Sequence, residues 1–205
     1  MGNAAPNGNQ APNGNQVQSG NPAPNEEPAL DEHPEARVTL YLDVDGVVCP
    51  FGPTGTTPWG SAWHYAYAGM LEVAYAAELV AALNRLTLWP GLRFVWLTSW
   101  EELAPAVLCP VTGLDGSLWP VLTADGAGSG AEWWKLEAIQ ADVGRNTPER
   151  IIWVDDQLAF EGRAQAWARI LGRRALLVSP DPRTGLSPGE LEAIRAFARH
   201  PDRQV

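Results

Sequence analysis

Three short apolar runs, each closing on polar side chains, set the plan of this chain. Val38-Thr39-Leu40-Tyr41-Leu42 runs into Asp43-Val44-Asp45-Gly46, Leu92-Arg93-Phe94-Val95-Trp96-Leu97 into Thr98-Ser99, and Ile151-Ile152-Trp153-Val154 into Asp155-Asp156. Such β-branched and aromatic runs read as strands. Between them lie Ala- and Leu-rich stretches of helical period, at about Leu71–Leu86, Trp100–Leu108, Ala131–Gln140 and Leu158–Leu171; a strand at Ala175–Val178 and a helix at Pro188–Ala198 close the chain. Apolar strands alternating with helices predict a parallel sheet covered on both faces, a three-layer α/β/α sandwich.

The pattern fails before Arg37. Residues 5–10 read Ala-Pro-Asn-Gly-Asn-Gln, 11–16 repeat those six letters, and Pro, Asn, Gly and Glu continue to about Glu35. This composition cannot bury enough apolar area to offset the entropy of ordering, so 1–36 is expected to be a disordered leader and 37–205 one folded domain. The leader carries five acids and no Lys or Arg, half of the formal net charge of −10. An acidic total argues against nonspecific nucleic-acid binding, which needs a basic surface. No run approaches the roughly 20 apolar residues of a membrane span, and the start of the chain lacks the pattern of a secretory signal. Cys49 and Cys109 stand outside any zinc-type spacing and form no disulfide framework, as suits a reducing cytoplasm.

In an open parallel sheet, ligands bind at the carboxyl ends of the strands. There the runs deliver four carboxylates (Asp43, Asp45, Asp155, Asp156), a hydroxyl (Thr98 or Ser99) and, from a helix start, Lys135. Carboxylates this close raise one another's pKa unless a cation joins them. An all-oxygen set with no Cys or His suits Mg2+, which keeps coordination positions for a substrate phosphate. Lys135 is the only lysine, against thirteen arginines. In so Arg-rich a chain it suggests a place where a compact ammonium is wanted rather than a planar fork. Chance survival on a helix face is the alternative.

The ordered set Asp43-Val44-Asp45-Gly46, Thr98, Lys135 and Asp155-Asp156 resembles the haloacid dehalogenase-like (HAD) superfamily of phosphatases and phosphotransferases. More narrowly, LYLDVDGVV, VWLTSWE, WWK, WVDDQ and SPDPRTGLSP are similar to the HAD domains associated with Swiss Army Knife RNA repair proteins. The resemblance implies a Rossmannoid sheet with Asp43 as nucleophile and Asp45 as general acid/base, the Asp45 backbone carbonyl also touching the metal. It implies that Thr98 and Lys135 steady the phosphoryl group and that Asp155 and Asp156 hold Mg2+. Gly46, Ser99 and Arg183 are candidate substrate contacts. An EF-hand reading fails for want of the following acids and the Glu at position twelve. A receiver domain would place its acidic pair first. Residues 47–70 leave room for a flap and 101–131 for no more, so minimal or no cap is expected and the site is open to a large phosphoester such as an RNA or DNA end. Hydrolase and phosphotransferase are not discriminated by these residues, and a noncatalytic magnesium- or phosphate-binding module is a third reading. Proline and glycine make 47–70 an irregular loop, where Trp59, Trp63 and His64 either stack on a planar substrate or close the loop onto the core. The tryptophans of strands and helices, Trp100 among them, are expected in the core.

Overall fold

A computed structural model describes residues 37–126 and 133–199. Every element below lies within the unit Pro34–Val205; the expected leader lies outside the described residues. The strands are β1 (Val38–Leu42), β2 (His64–Ala68), β3 (Leu71–Tyr75), β4 (Leu92–Trp96), β5 (Arg150–Val154) and β6 (Ala175–Val178). The helices are α1 (Ala77–Thr87), α2 (Cys109–Thr112), α3 (Trp134–Asn146), α4 (Gly162–Leu171) and α5 (Pro188–Arg199).

β4, β1, β5 and β6 form one parallel sheet in that order, with Val38 in register with both Leu92 and Arg150. β1 is central, and all five of its residues are buried. Side chains alternate across a strand, so Leu40 and Leu42 enter a core with Leu79 and Leu83 of α1 and Leu191 and Ile194 of α5. Tyr41 enters the opposite core with Leu136 and Ile139 of α3 and Ala164 of α4. The three layers are those the sequence predicts. No helix among the described residues is long and apolar enough to cross a membrane.

The region after β1 corrects the expectation. Leu71–Tyr75 is strand rather than the start of a helix, and the helix begins only at Ala77. It pairs antiparallel with His64–Ala68 across Gly69-Met70. Gly69 has a φ of 68°, as a type II′ hairpin turn asks at its first central position. The period of 3.6 misled here because Leu71, Val73 and Ala74 also satisfy a short two-stranded ladder, and tertiary pairing overrides local pattern. The insertion is thus an irregular segment followed by a hairpin, with no folded cap among the described residues. A second difference lies after β4, where a π-helical turn at Ala104–Leu108 precedes α2. Pro110, which has no N–H to give, stands just beyond it. The helix expected from Ala131 begins at Trp134; Ala131 itself lies outside the described residues. That expected at Leu158 is a 3-10 turn (Asp156–Ala159) followed by α4.

Candidate active site

Backbone pairing continues just past the strands and stops at the polar residues. Asp43 N–H donates to the Val154 carbonyl at 3.0 Å, Leu97 N–H to that of Leu42 at 3.0 Å and Asp155 N–H to that of Val178 at 3.1 Å. Asp43, Thr98 and Asp155 therefore leave a backbone fixed by the sheet, and all three are buried.

Lys135 reaches the same point from the first turn of α3. Trp133, just before that helix, stacks on Trp153 of β5 with ring centroids 4.8 Å apart and planes 17° apart. This contact seats the start of α3 against the strand that delivers Asp155. The Lys135 ammonium donates to Asp43 Oδ2 at 2.5 Å and to Asp155 Oδ2 at 2.7 Å. The remaining oxygens are also engaged: Val44 N–H donates to Asp43 Oδ1 at 2.7 Å and Gln157 N–H to Asp155 Oδ1 at 2.9 Å. A buried lysine between two buried aspartates is a costly arrangement. Burial pulls the Lys135 pKa down, but Asp43 and Asp155 outweigh it and hold the ammonium above its ordinary value.

One ammonium does not balance the acids. Burial pushes Asp43 up to about 7 against the opposing pull of Lys135, and Asp155 adds to the rise. Burial, then Asp155, raises Asp156 as well. Asp43, Asp155 and Asp156 each offer an oxygen, all within 4.8 Å of one another. This acid-only set, in which Asp43 and Asp156 are pushed toward protonation, fits a hard divalent ion.

Gly46 makes the gathering possible. It has a φ of 68°, and a Cβ there would lie 2.6 Å from Asp156 Cγ. Gly46 thus enters as the surface against which the Asp156 carboxylate rests. Asp45 is half-buried and lies outside the three-acid group; its Oδ1 accepts from the Trp100 indole N–H at 3.0 Å. Thr98 Oγ accepts from Trp100 N–H at 3.3 Å, which leaves its O–H proton to donate. Ser99 is exposed, so Thr98 is the buried hydroxyl of the pair. Arg183 is exposed in the loop after β6, its N–H bonded to Asp181 Oδ1 at 2.8 Å. That loop is tied to the segment leaving Asp43: Leu186 N–H donates to Val47 O at 2.9 Å, Phe51 N–H to Pro182 O at 2.8 Å and the Trp59 indole to Leu186 O at 3.0 Å. Trp59 closes the loop, as one of its two readings has it. Trp63 packs against the core, and His64 opens β2, its ring 5.6 Å from that of Tyr75.

A family model described as the HAD domain in Swiss Army Knife RNA repair proteins matches residues 39–191. The chain belongs to this family. Among solved structures the HAD domain of the effector protein Lem4 from Legionella pneumophila is similar at 14% identity and a TM-score of 0.52, over 82% of this chain and all of that one. At that identity the likeness is one of fold. No curated protein matches the sequence. HAD membership supports phosphatase-type chemistry in general. Sequence reasoning placed Trp100 in the core, against which it does pack, half-buried, but missed this residue's bond to Asp45. Its signal was position: it directly follows Thr98-Ser99 at the active edge.

Proposed function

We propose that this HAD domain is a Mg2+-dependent phosphomonoester hydrolase that works through an aspartyl phosphate on Asp43. The observation that carries the reading is the Lys135 clamp. It fixes one oxygen of a buried Asp43 at the carboxyl end of the central strand and ties it to Asp155. In the first step an Asp43 oxygen attacks phosphorus while Asp45 gives a proton to the departing alkoxide oxygen. In the second, Asp45 takes a proton from water, whose oxygen displaces the Asp43 carboxylate from phosphorus. Lys135 and Thr98 offset charge on the phosphoryl oxygens. Asp43, Asp155 and Asp156 would hold the ion, with the Asp45 carbonyl beside them; Mg2+ neutralises phosphoryl charge when bound.

A large phosphoester, with an RNA or DNA end as the leading candidate, is supported by the small hairpin that stands where a cap would close the site, and by the RNA-repair setting of the family. The acidic total charge confines any such contact to a local surface. Hydrolysis of an aryl phosphate by wild type and by Asp43→Asn, with Mg2+ and with chelator, tests the reading. Metal-dependent release by wild type alone is expected. Substantial release by Asp43→Asn, or release undiminished in excess chelator, would sink it. Transfer to alcohols added in competition with water would instead mark a phosphotransferase.

A further inference from the structure

We propose that Trp100 is a positioning residue for proton transfer: its indole N–H fixes the Asp45 carboxyl so that Oδ2 is the oxygen that gives and takes the proton. The inference rests on Asp45 being the acid/base of the proposed hydrolase, and it concerns how that group is held.

Trp100 Nε1 lies 3.0 Å from Asp45 Oδ1, a contact between residues 55 apart in sequence. An indole N–H can only donate. It therefore engages a lone pair on Oδ1 in either protonation state, and a proton carried by the group belongs on Oδ2. Without this bond the carboxyl rotates about its terminal torsion, which is broad and weakly defined for aspartate. Proton transfer needs a donor oxygen within hydrogen-bond reach of the leaving group, so such rotation dilutes the productive geometry.

The turn that carries Trp100 is built to hold it. Trp100 N–H bonds Thr98 Oγ, and Glu101 N–H bonds Thr98 O at 3.1 Å. Glu101 has a φ of 44°; among the described residues the other non-glycine with positive φ is Thr147, at the end of α3. Thr147 is an ordinary left-handed helix cap, whereas Glu101 ends no helix. Its carboxylate accepts Ala124 N–H at 2.9 Å, an anchor 23 residues away that maintains the unusual backbone. Strain held this way collects where geometry matters to function. The half-buried indole body packs against the core, which limits the swing of the ring. One residue thus joins the Thr98 hydroxyl, through its backbone N–H, to the Asp45 carboxylate, through its ring.

In the step concerned, the P–O bond to the leaving group breaks as Asp43 oxygen bonds to phosphorus. The electron pair released to the leaving oxygen takes the proton from Asp45 Oδ2, which ends as carboxylate. Nitrophenolate leaves without that proton and an alkoxide needs it. The test compares kcat/KM for 4-nitrophenyl phosphate and for simple alkyl phosphates, in wild type, Trp100→Phe and Asp45→Asn. Because kcat/KM ends at the first irreversible step, the shared hydrolysis of the phosphoenzyme drops out.

Trp100→Phe keeps an aromatic ring, though a smaller one, and loses the N–H. Its loss on alkyl phosphates should exceed its loss on the nitrophenyl ester by about 10-fold, with Asp45→Asn showing a larger ratio of the same sign, given that general acids contribute about 10²–10⁴-fold. Equal loss on both esters, or none, would overturn the positioning role while leaving the hydrolase standing. Wild type that hydrolyses none of the esters would overturn the hydrolase reading, and this inference with it. A substrate-free check is the Trp100 indole ¹H–¹⁵N resonance, assigned by its absence from Trp100→Phe. It should shift on Asp45→Ala, and a resonance that stays in place overturns the contact.

Discussion

Replacing Gly46 by alanine should damage the proposed metal site more than the fold. Two costs are involved. A non-glycine residue held at a φ of 68° costs about 1–2 kcal/mol of backbone strain. Separately, the new Cβ would stand 2.6 Å from Asp156 Cγ and 2.7 Å from its Oδ2, where carbon atoms ordinarily rest about 3.5–4.0 Å apart. Relief requires the Asp156 carboxylate to retreat by about 1 Å, against the near-ideal octahedral geometry at about 2.0–2.1 Å that Mg2+ demands. Mg2+ affinity should fall about 10–100-fold, the range seen when the support of a metal ligand is disturbed. Gly113 provides the control, since it has a φ of 76° and a Cβ there would meet nothing within 4 Å. Gly113→Ala should carry a similar strain and leave Mg2+ binding as it is. Isothermal titration with Mg2+ and thermal unfolding in chelator separate the two costs. Wild-type Mg2+ affinity in Gly46→Ala, or an equal loss in Gly113→Ala, would refute the reasoning.

Two further outcomes follow from the charge balance of the same site. Lys135→Met leaves Asp43 and Asp155 without their shared ammonium; breaking a buried pair costs about 3–5 kcal/mol when the remaining charge stays ionised, so urea unfolding in chelator should show a large loss at about pH 8 and a smaller one at about pH 5. A loss independent of pH would contradict the assignment. Asp43, whose pKa rises from 3.8 to about 7 on folding without metal, keeps a proton that the unfolded chain releases; its contribution is stability present below about pH 4 and lost as pH rises through about 7. The metal-free melting temperature should fall across that window, and the rise produced by Mg2+, which needs the carboxylate free of its proton, should be larger at about pH 8 than at about pH 5.5. A Mg2+ effect that does not grow with pH would contradict the idea that proton and metal compete for Asp43.

The fold was legible wherever one physical signal dominated. β1, β4 and β5 announced themselves because strands buried on both faces need unbroken apolar runs, and β6 and α5 stand within a residue of their expected limits. The hairpin was not, because the face it turns to the core carries Ala66, Ala68, Val73 and Tyr75, whereas the large rings of Tyr65 and Tyr67 on the other face are 58% and 68% exposed, so apolar and polar positions do not alternate along it. What the sequence could not supply was contact across distance. That Lys135 would touch both Asp43 and Asp155 required α3 to be seated by the Trp133–Trp153 stack. Trp100, while packing against the core, also bonds Asp45, a contact between residues 55 apart in sequence.

The arrangement also bears on why the proposed phosphoryl site would be assembled at this edge at such cost. Three carboxyl oxygens within 4.8 Å of one another and a single buried ammonium form a set that is stable in two ways only: by taking up protons, or by taking up a cation. The sheet forbids a third way, separation of the acids, because Asp43 and Asp155 leave adjacent strands at residues whose backbone N–H groups are still paired. The β6–α5 loop forbids a fourth, withdrawal of the segment behind Asp43, by its bonds to Val47 and Phe51. Electrostatic frustration that cannot relax by movement is what makes a preorganised site: the energy of holding like charges together is spent in folding and is released when a cation binds. Gly46 sits at the centre of this logic, because among the described glycines it is the one whose missing side chain leaves room for the Asp156 carboxylate.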